Sequence, residues 1–109
     1  MNVRLYLLQR LTALIMVPLI IGHLVVIFYA TRHGLTAGEV LARTRGSVGW
    51  GLFYGVFVVA ASVHGAIGVG SVVREWAGMR GRNLDLLMWA FGLALAALGL
   101  RAVWAVVIG

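Results

Sequence analysis

The fold is decided by residues 48–73, which read VGWGLFYGVFVVAASVHGAIGVGSVV. This stretch carries no charge, and its polar members are Ser62, His64 and Ser71. A membrane's hydrocarbon core is about 30 Å thick and takes about 20 apolar residues of helix to cross. An isolated span must be a helix, because lipid offers backbone groups no hydrogen-bond partner. The stretch therefore predicts a transmembrane helix, in which both serines bond back to carbonyls of their own helix.

Two further apolar stretches flank this one. The first covers about residues 11–30 without a charge, and the last covers about residues 86–108 with a single charge, Arg101. The three spans predict an all-α integral membrane protein with three transmembrane helices, in a single domain over residues 1–109. The first span is longer than the apolar region of a signal peptide, so we expect it to be retained.

The composition agrees with a membrane protein. Of the 109 residues, 62% are hydrophobic and 11% are charged, whereas a soluble domain has about 45–50% apolar and about 25% charged residues. The absence of cysteine excludes disulfides, iron–sulfur ligation and thiolate chemistry from this chain. All nine basic residues are arginines, and most lie at the ends of spans, where they meet lipid headgroups. No nucleic-acid partner is expected.

The arginines also predict the orientation of the chain. Five lie on the side of the N-terminus and three on the opposite side, which favours an N-terminus inside the cell. The five are Arg4, Arg10, Arg74, Arg80 and Arg82, and the three are Arg32, Arg43 and Arg45. We expect the chain in the cytoplasmic membrane of a bacterium or archaeon.

Two histidines lie inside spans, and an ionisable residue there suggests a functional site. His23 lies toward the outer end of the first span, and His64 lies toward the inner end of the second. We expect their levels to differ by about 10 Å along the membrane normal. Two imidazoles that ligate one haem iron must each lie about 2 Å from it. If both are ligands, they serve different haems, each completed by another chain, so the three helices would be half of a larger bundle.

The surroundings distinguish the two histidines. On the face of His64 lie small residues that would let a flat macrocycle approach the backbone, whereas the face of His23 is bulkier. The neighbours of His64 are Ala60, Ala61, Ile67, Gly68 and Ser71. Each histidine could instead hydrogen-bond a neighbouring helix without any ligand. His33 lies in the outer loop and is expected to be solvated.

Arg101 is the one charge inside the third span, near its outer end. Its side chain could reach the headgroups. The alternative is an ion pair with a propionate of an outer haem.

Two segments carry a family resemblance. Leu8-Gln9-Arg10-Leu11-Thr12-Ala13 opens the first span, and His64-Gly-Ala-Ile-Gly68 precedes Val73-Arg74-Glu75-Trp76 at the inner end of the second. With the three spans, this layout resembles the membrane-anchor subunits of the succinate dehydrogenase/fumarate reductase (complex II) family. Such subunits hold b-type haem between them, dock a flavoprotein and an iron–sulfur subunit, and exchange electrons with quinone.

The resemblance implies roles for individual residues. His64 matches the family's haem ligand, and His23 matches the first-span ligand of members with two haems. Arg10 matches an arginine of the quinone pocket, or would bind the propionates of the inner haem. The family's acidic–tyrosine pair reads Glu75-Trp76 here, and Trp76 can donate an N–H bond but no phenolic proton. Tyr6, one turn before Arg10, supplies a hydroxyl.

The sequence thus predicts a haem b-binding anchor subunit of a succinate:quinone oxidoreductase or fumarate reductase, which is not catalytic by itself. The expected partners are a second anchor subunit, an iron–sulfur subunit, a flavoprotein subunit and lipid. Two alternatives stay open. One is a haem-free anchor of a related flavoprotein complex, and the other is a small structural or transport-accessory membrane protein.

Overall fold

The computed structural model describes residues 3–109, which form four helices. These are α1 (Val3–Arg32), α2 (Ala37–Thr44), α3 (Val48–Ala77) and α4 (Arg82–Val107). Helices α1, α3 and α4 are long and apolar enough to cross a membrane, so the prediction of three transmembrane helices is confirmed. Each extends past the apolar stretch that predicted it at one end or both. Helix α1 begins near Val3, before the apolar stretch, because its first turns are rich in leucine and arginine, which are good helix formers.

The outer surface of the three long helices is apolar. Large side chains such as Leu14 (71% exposed) and Trp76 (86% exposed) point outward, and no large side chain is fully buried among residues 3–109. The buried polar groups include Thr12 and Ser62, each 5% exposed. Such a surface suits a lipid environment, because a protein that exposed so large an apolar area to water would aggregate. The chain is a membrane protein.

Helix α3 lies at the centre, with α1 and α4 packed against it. Helix α1 runs antiparallel to α3, so Thr12 lies beside His64 and His23 lies beside Tyr54. The buried and half-buried residues of α1 include a row that recurs every three or four positions, as expected for a helix packed along one side. This row is Leu5, Gln9, Thr12, Met16, Leu19, His23, Val26 and Ala30.

Glycines bring α3 and α4 close together. A Cβ atom on Gly92 would lie 3.0 Å from the Cβ of Ala66, and one on Gly99 would clash with Val58. Membrane helices pack closely through small residues, because lipid removes the hydrophobic drive that joins helices in water.

Helix α2 was not predicted from the sequence, which suggested only a short loop there. It begins with a capping box in which Thr36 and Glu39 each accept a bond from the other's backbone N–H. At its other end Thr44 Oγ1 donates to the carbonyl of Val106 at 2.7 Å, and the N–H of Gly46 donates to the carbonyl of Val107 at 2.6 Å. These bonds satisfy two of the C-terminal carbonyls of α4 and fix α2 against the C-terminal end of that helix.

We predict that Gly92→Val destabilises the protein by about 1–3 kcal/mol, because the new side chain would meet a methyl group fixed to the α3 backbone. The measurement is thermal unfolding in detergent, followed by circular dichroism. The control is Gly55→Val, since a Cβ at Gly55 meets nothing within 4 Å. Equal melting temperatures for the two variants would contradict the close contact of α3 and α4.

Candidate functional site

His64 is hydrogen-bonded to α1 through one ring nitrogen. Its Nδ1 lies 3.2 Å from Thr12 Oγ1. The same hydroxyl oxygen lies 2.9 Å from the carbonyl oxygen of Leu8 and 3.0 Å from that of Gln9. Three polar atoms of the helix pair α1 and α3 thus surround one hydroxyl group, at a position that is 5% exposed.

This arrangement fixes the tautomer of His64. A hydroxyl has one proton, and its oxygen would be repelled by two carbonyl oxygens at about 3 Å unless that proton pointed toward them. Thr12 therefore donates to its own helix, as threonines in helices commonly do, and accepts a bond from Nδ1–H of His64. The proton on Nδ1 leaves the lone pair on Nε2, which has no hydrogen-bond partner among residues 3–109.

Gln9 lies next to the Thr12–His64 pair. Its side-chain oxygen Oε1 is buried and has no hydrogen-bond partner among the described residues. Its Nε2 lies 3.5 Å from where a Cβ of Gly68 would stand. The amide thus lies against α3 one helical turn from His64. Sequence analysis quoted Gln9 within a motif but gave it no role.

His23 lies in an aromatic environment toward the C-terminal end of α1. Its Nδ1 is 3.4 Å from the hydroxyl of Tyr54. The rings of Tyr54 and Phe57 meet the imidazole edge-to-face at centroid distances of 5.5 and 5.6 Å. Trp50 stacks on Tyr54 at 5.7 Å. Because Tyr54 has no other side-chain hydrogen bond within residues 3–109, its hydroxyl can either donate to His23 or accept from it, and this bond leaves both tautomers of His23 available.

A groove of 420 Å³ opens beside His23, and all four helices line it. Its walls are apolar apart from His23, Thr44 and Tyr54. The volume lies within the range of small-molecule and cofactor sites, about 300–1,000 Å³. The other lining residues are Val40, Phe57, Val58, Ala61, Gly99, Ala102, Val103 and Val106.

The groove lies beside His23 rather than beside His64, whose small neighbours suggested an approach for a flat ligand. Of those neighbours, Ala60 and Ile67 are each only 5% exposed. Ala61 lines the groove of His23 instead. His64 and Gly68 remain half-buried, and a second apolar groove, of 500 Å³, is lined by Thr12 and Ala60 but not by His64.

The two histidines lie at well-separated levels. Thr12 and His23 are eleven residues apart in α1, which is about 16 Å at 1.5 Å per residue. Since Thr12 marks the level of His64, the separation exceeds the 10 Å that we expected. His23 and His64 of one chain therefore cannot ligate the same iron.

The residues that matched a quinone pocket lie on two separate parts of the surface. The Arg10 guanidinium carbon lies 5.9 Å from the ring centre of Tyr6. Arg10 is two residues from Thr12, or about 200° around the helix, so this pair faces away from α3. In the α1–α3 register Arg10 is about 13 Å, along the helix axis, from the level of Glu75. Glu75 and Trp76 are both exposed, and no hydrogen bond, ion pair or ring contact joins them to Arg10 or Tyr6.

Arg101 is exposed, with no ion pair among residues 3–109. It is two residues from both Gly99 and Val103, which line the groove of His23. It therefore lies about 200° around α4 from each of them. Its side chain points away from α3 and from that groove.

Sequence analysis missed Thr12, Gln9 and Tyr54 as partners of the two histidines. The antiparallel packing of α1 on α3 relates the residue numbers of facing positions, and this relation would have identified these partners. The residue numbers of facing positions in α1 and α3 add up to about 76, as for Thr12 with His64 and His23 with Tyr54. One correct pairing would have given the others. No signal indicated which pairing was correct.

Comparison with protein-family models, with curated proteins and with solved structures found no match to this chain.

We predict that Thr12→Val allows His64 to adopt both neutral tautomers, because Nδ1–H then loses its hydrogen-bond acceptor. Nitrogen-15 spectra of histidine-labelled protein distinguish a protonated from an unprotonated ring nitrogen. Wild type should show His64 as the single Nδ1–H tautomer, and Thr12→Val should show a mixture. The control is Thr31→Val, because Thr31 bonds only the carbonyl of Ile27 in the same helix. An unchanged His64 signal in Thr12→Val would show that this hydroxyl does not set the tautomer.

Proposed function

We propose that the chain is a haem b-binding membrane-anchor subunit of a succinate:quinone oxidoreductase or fumarate reductase. It would tether the catalytic subunits to the membrane and take part in electron transfer between their iron–sulfur centres and quinone. The observation that carries the proposal is the Thr12–His64 pair. A metal-ligating histidine usually donates its second ring N–H to a fixed acceptor, which orients the ring and raises the basicity of the other nitrogen.

The residues fit a haem in their donor chemistry. His64 has its Nε2 lone pair available, and His23 lies on an apolar groove of 420 Å³. Neutral imidazole is a common axial ligand of haem iron, and haem bound in this way supplies one-electron redox chemistry. We assign His64 to an inner haem and His23 to an outer haem.

The proposal requires a second membrane subunit. Because His23 and His64 lie about 16 Å apart in level, each haem would take its other ligand from a partner chain. The groove of His23 is open on one side, and a partner helix laid against it would exclude lipid and water. Arg10 and Arg101 face outward from α1 and α4. Either arginine would therefore pair with a haem propionate only at the surface that faces the partner.

We place the N-terminus inside the cell, on the arginine balance given above. The inner ends of α1 and α3 would then face the iron–sulfur subunit. Tyr6 and Arg10 on one side, and Glu75 and Trp76 on the other, supply hydrogen-bond donors and charge for a quinone headgroup. Because they do not meet within this chain, the pocket would be completed by a neighbouring subunit.

The deciding experiment is a pyridine-haemochrome assay with a reduced-minus-oxidised spectrum, on the complex purified through this chain. We expect two b haems per complex. His64→Ala should remove one of them and His23→Ala the other, because each substitution would remove the imidazole nitrogen that holds that haem. The control is His33→Ala, since His33 is an exposed residue bonded to the carbonyl of Tyr29.

The outcomes separate the rival functions. A single haem that is lost only in His64→Ala would leave His23 a packing residue. Quinone-linked activity without haem in the wild type would favour a haem-free anchor. A preparation with neither haem nor flavoprotein would overturn the proposal and favour a structural or transport-accessory protein.

We predict that Arg10→Gln raises the KM for quinone about tenfold with a smaller effect on kcat, because one charge-assisted hydrogen bond to the headgroup is lost. The measurement is quinone reduction by the assembled complex. Arg4→Gln is the control, since Arg4 is an exposed arginine on the same helix. Equal KM values for the two variants would remove Arg10 from the quinone site.

A further inference from the structure

A small polar pocket of 210 Å³ lies at the inner end of the helices, away from both histidines. Its polar lining consists of Ser71 and Arg74 from α3 and Asp85 from the first turn of α4. From the sequence, Arg74 was assigned to the orientation of the chain and to the segment at residues 73–76, and no role was predicted for Asp85. The remaining lining residues are Leu5, Ile67, Gly70, Leu84 and Met88.

The polar side chains of this pocket are not paired with one another. Arg74 and Asp85 form no ion pair and no side-chain hydrogen bond among residues 3–109. The hydroxyl of Ser71 is also without a partner there. The expectation that both serines bond their own helix is confirmed for Ser62, which donates to Val58 at 2.7 Å, and is wrong for Ser71. A cation, an anion and a hydroxyl thus line one pocket, each with capacity for a ligand.

An apolar groove of 290 Å³ continues from this pocket. Leu5, Ile67 and Met88 line both spaces. The groove runs along α3 and α4 past Gly92 to Ala96, and no charged residue lines it. A polar pocket near the ends of α3 and α4 that adjoins an apolar groove along these helices has the shape of a site for an amphiphile.

We propose that this pocket binds a zwitterionic phospholipid that carries a primary ammonium group, as phosphatidylethanolamine does. Arg74 binds the phosphate, Asp85 binds the ammonium group, and one acyl chain lies in the groove beside Gly92 and Ala96. Asp85 disfavours a purely anionic headgroup, because a carboxylate repels a second negative charge. A trimethylated ammonium is disfavoured as well, since it has no N–H to donate to the carboxylate. The proposal does not depend on the proposed function.

The test is a lipid titration of the full chain in detergent, followed by native mass spectrometry, with palmitoyl-oleoyl phosphatidylethanolamine, phosphatidylcholine and phosphatidylglycerol. We expect one ethanolamine lipid to bind about fivefold more tightly than either other lipid, which is the effect of about one charge-assisted hydrogen bond in a partly exposed site. Asp85→Asn should abolish this preference. Arg74→Gln should weaken the binding of all three lipids.

Two substitutions serve as matched controls. Glu75→Gln removes an exposed carboxylate next to Arg74, and Arg82→Gln removes an exposed arginine from the start of α4. Neither residue lines the pocket, so both variants should keep the preference for ethanolamine lipid. Ala96→Phe should weaken binding by filling the groove without changing the headgroup preference.

Three results would overturn the proposal. Equal affinities for the three lipids in wild type would show that the headgroup is not recognised. An ethanolamine preference that survives in Asp85→Asn would place the ammonium elsewhere. Binding of decyl-ubiquinone that is sensitive to Arg74→Gln, with no selective lipid binding, would make the pocket a quinone site.

Discussion

The structure depends on one constraint, which is that a polar group inside the hydrocarbon layer needs a partner within the protein. Helix α1 carries Thr12 and His23 within its apolar stretch, and both belong to the row that packs toward α3. Thr12 meets His64 and His23 meets Tyr54. A shift of α1 by one residue along α3 would break both contacts, so these two pairs specify the register more strongly than the apolar contacts around them.

The three spans could be predicted because their signal is one of length and apolar composition, as in the unbroken run of residues 48–73. Which face of α1 packs inward could not be predicted, because apolar residues surround that helix on all sides. In its spanning part, the face that packs on α3 carries the polar groups and the face toward lipid is apolar. An amphipathic helix in water has the opposite arrangement. The capping-box pair Thr36 and Glu39 was a readable signal for α2.

The candidate site was predictable in its histidines and not in its surroundings. His23 and His64 stand out in any span, because ionisable residues are rare there. The small residues beside His64 suggested open space, but small residues also allow close helix packing. A single sequence does not show whether a neighbouring helix occupies such a face. Here α1 packs against part of it through Thr12, and the groove that His23 lines is bounded by residues of all four helices.

The two histidines differ in how strongly the protein prepares them for a ligand. The hydroxyl proton of Thr12 is donated to carbonyls of its own helix. The hydroxyl oxygen can therefore only accept a bond from His64, which leaves the lone pair of that imidazole on Nε2. Tyr54 has no such commitment, and its contact with His23 is longer, at 3.4 Å. A ligand at His23 would therefore have to select the tautomer as it binds, whereas His64 presents a nitrogen lone pair in advance. Preorganisation of this kind lowers the free-energy cost of binding, so a ligand of His64 would be held more tightly than a ligand of His23.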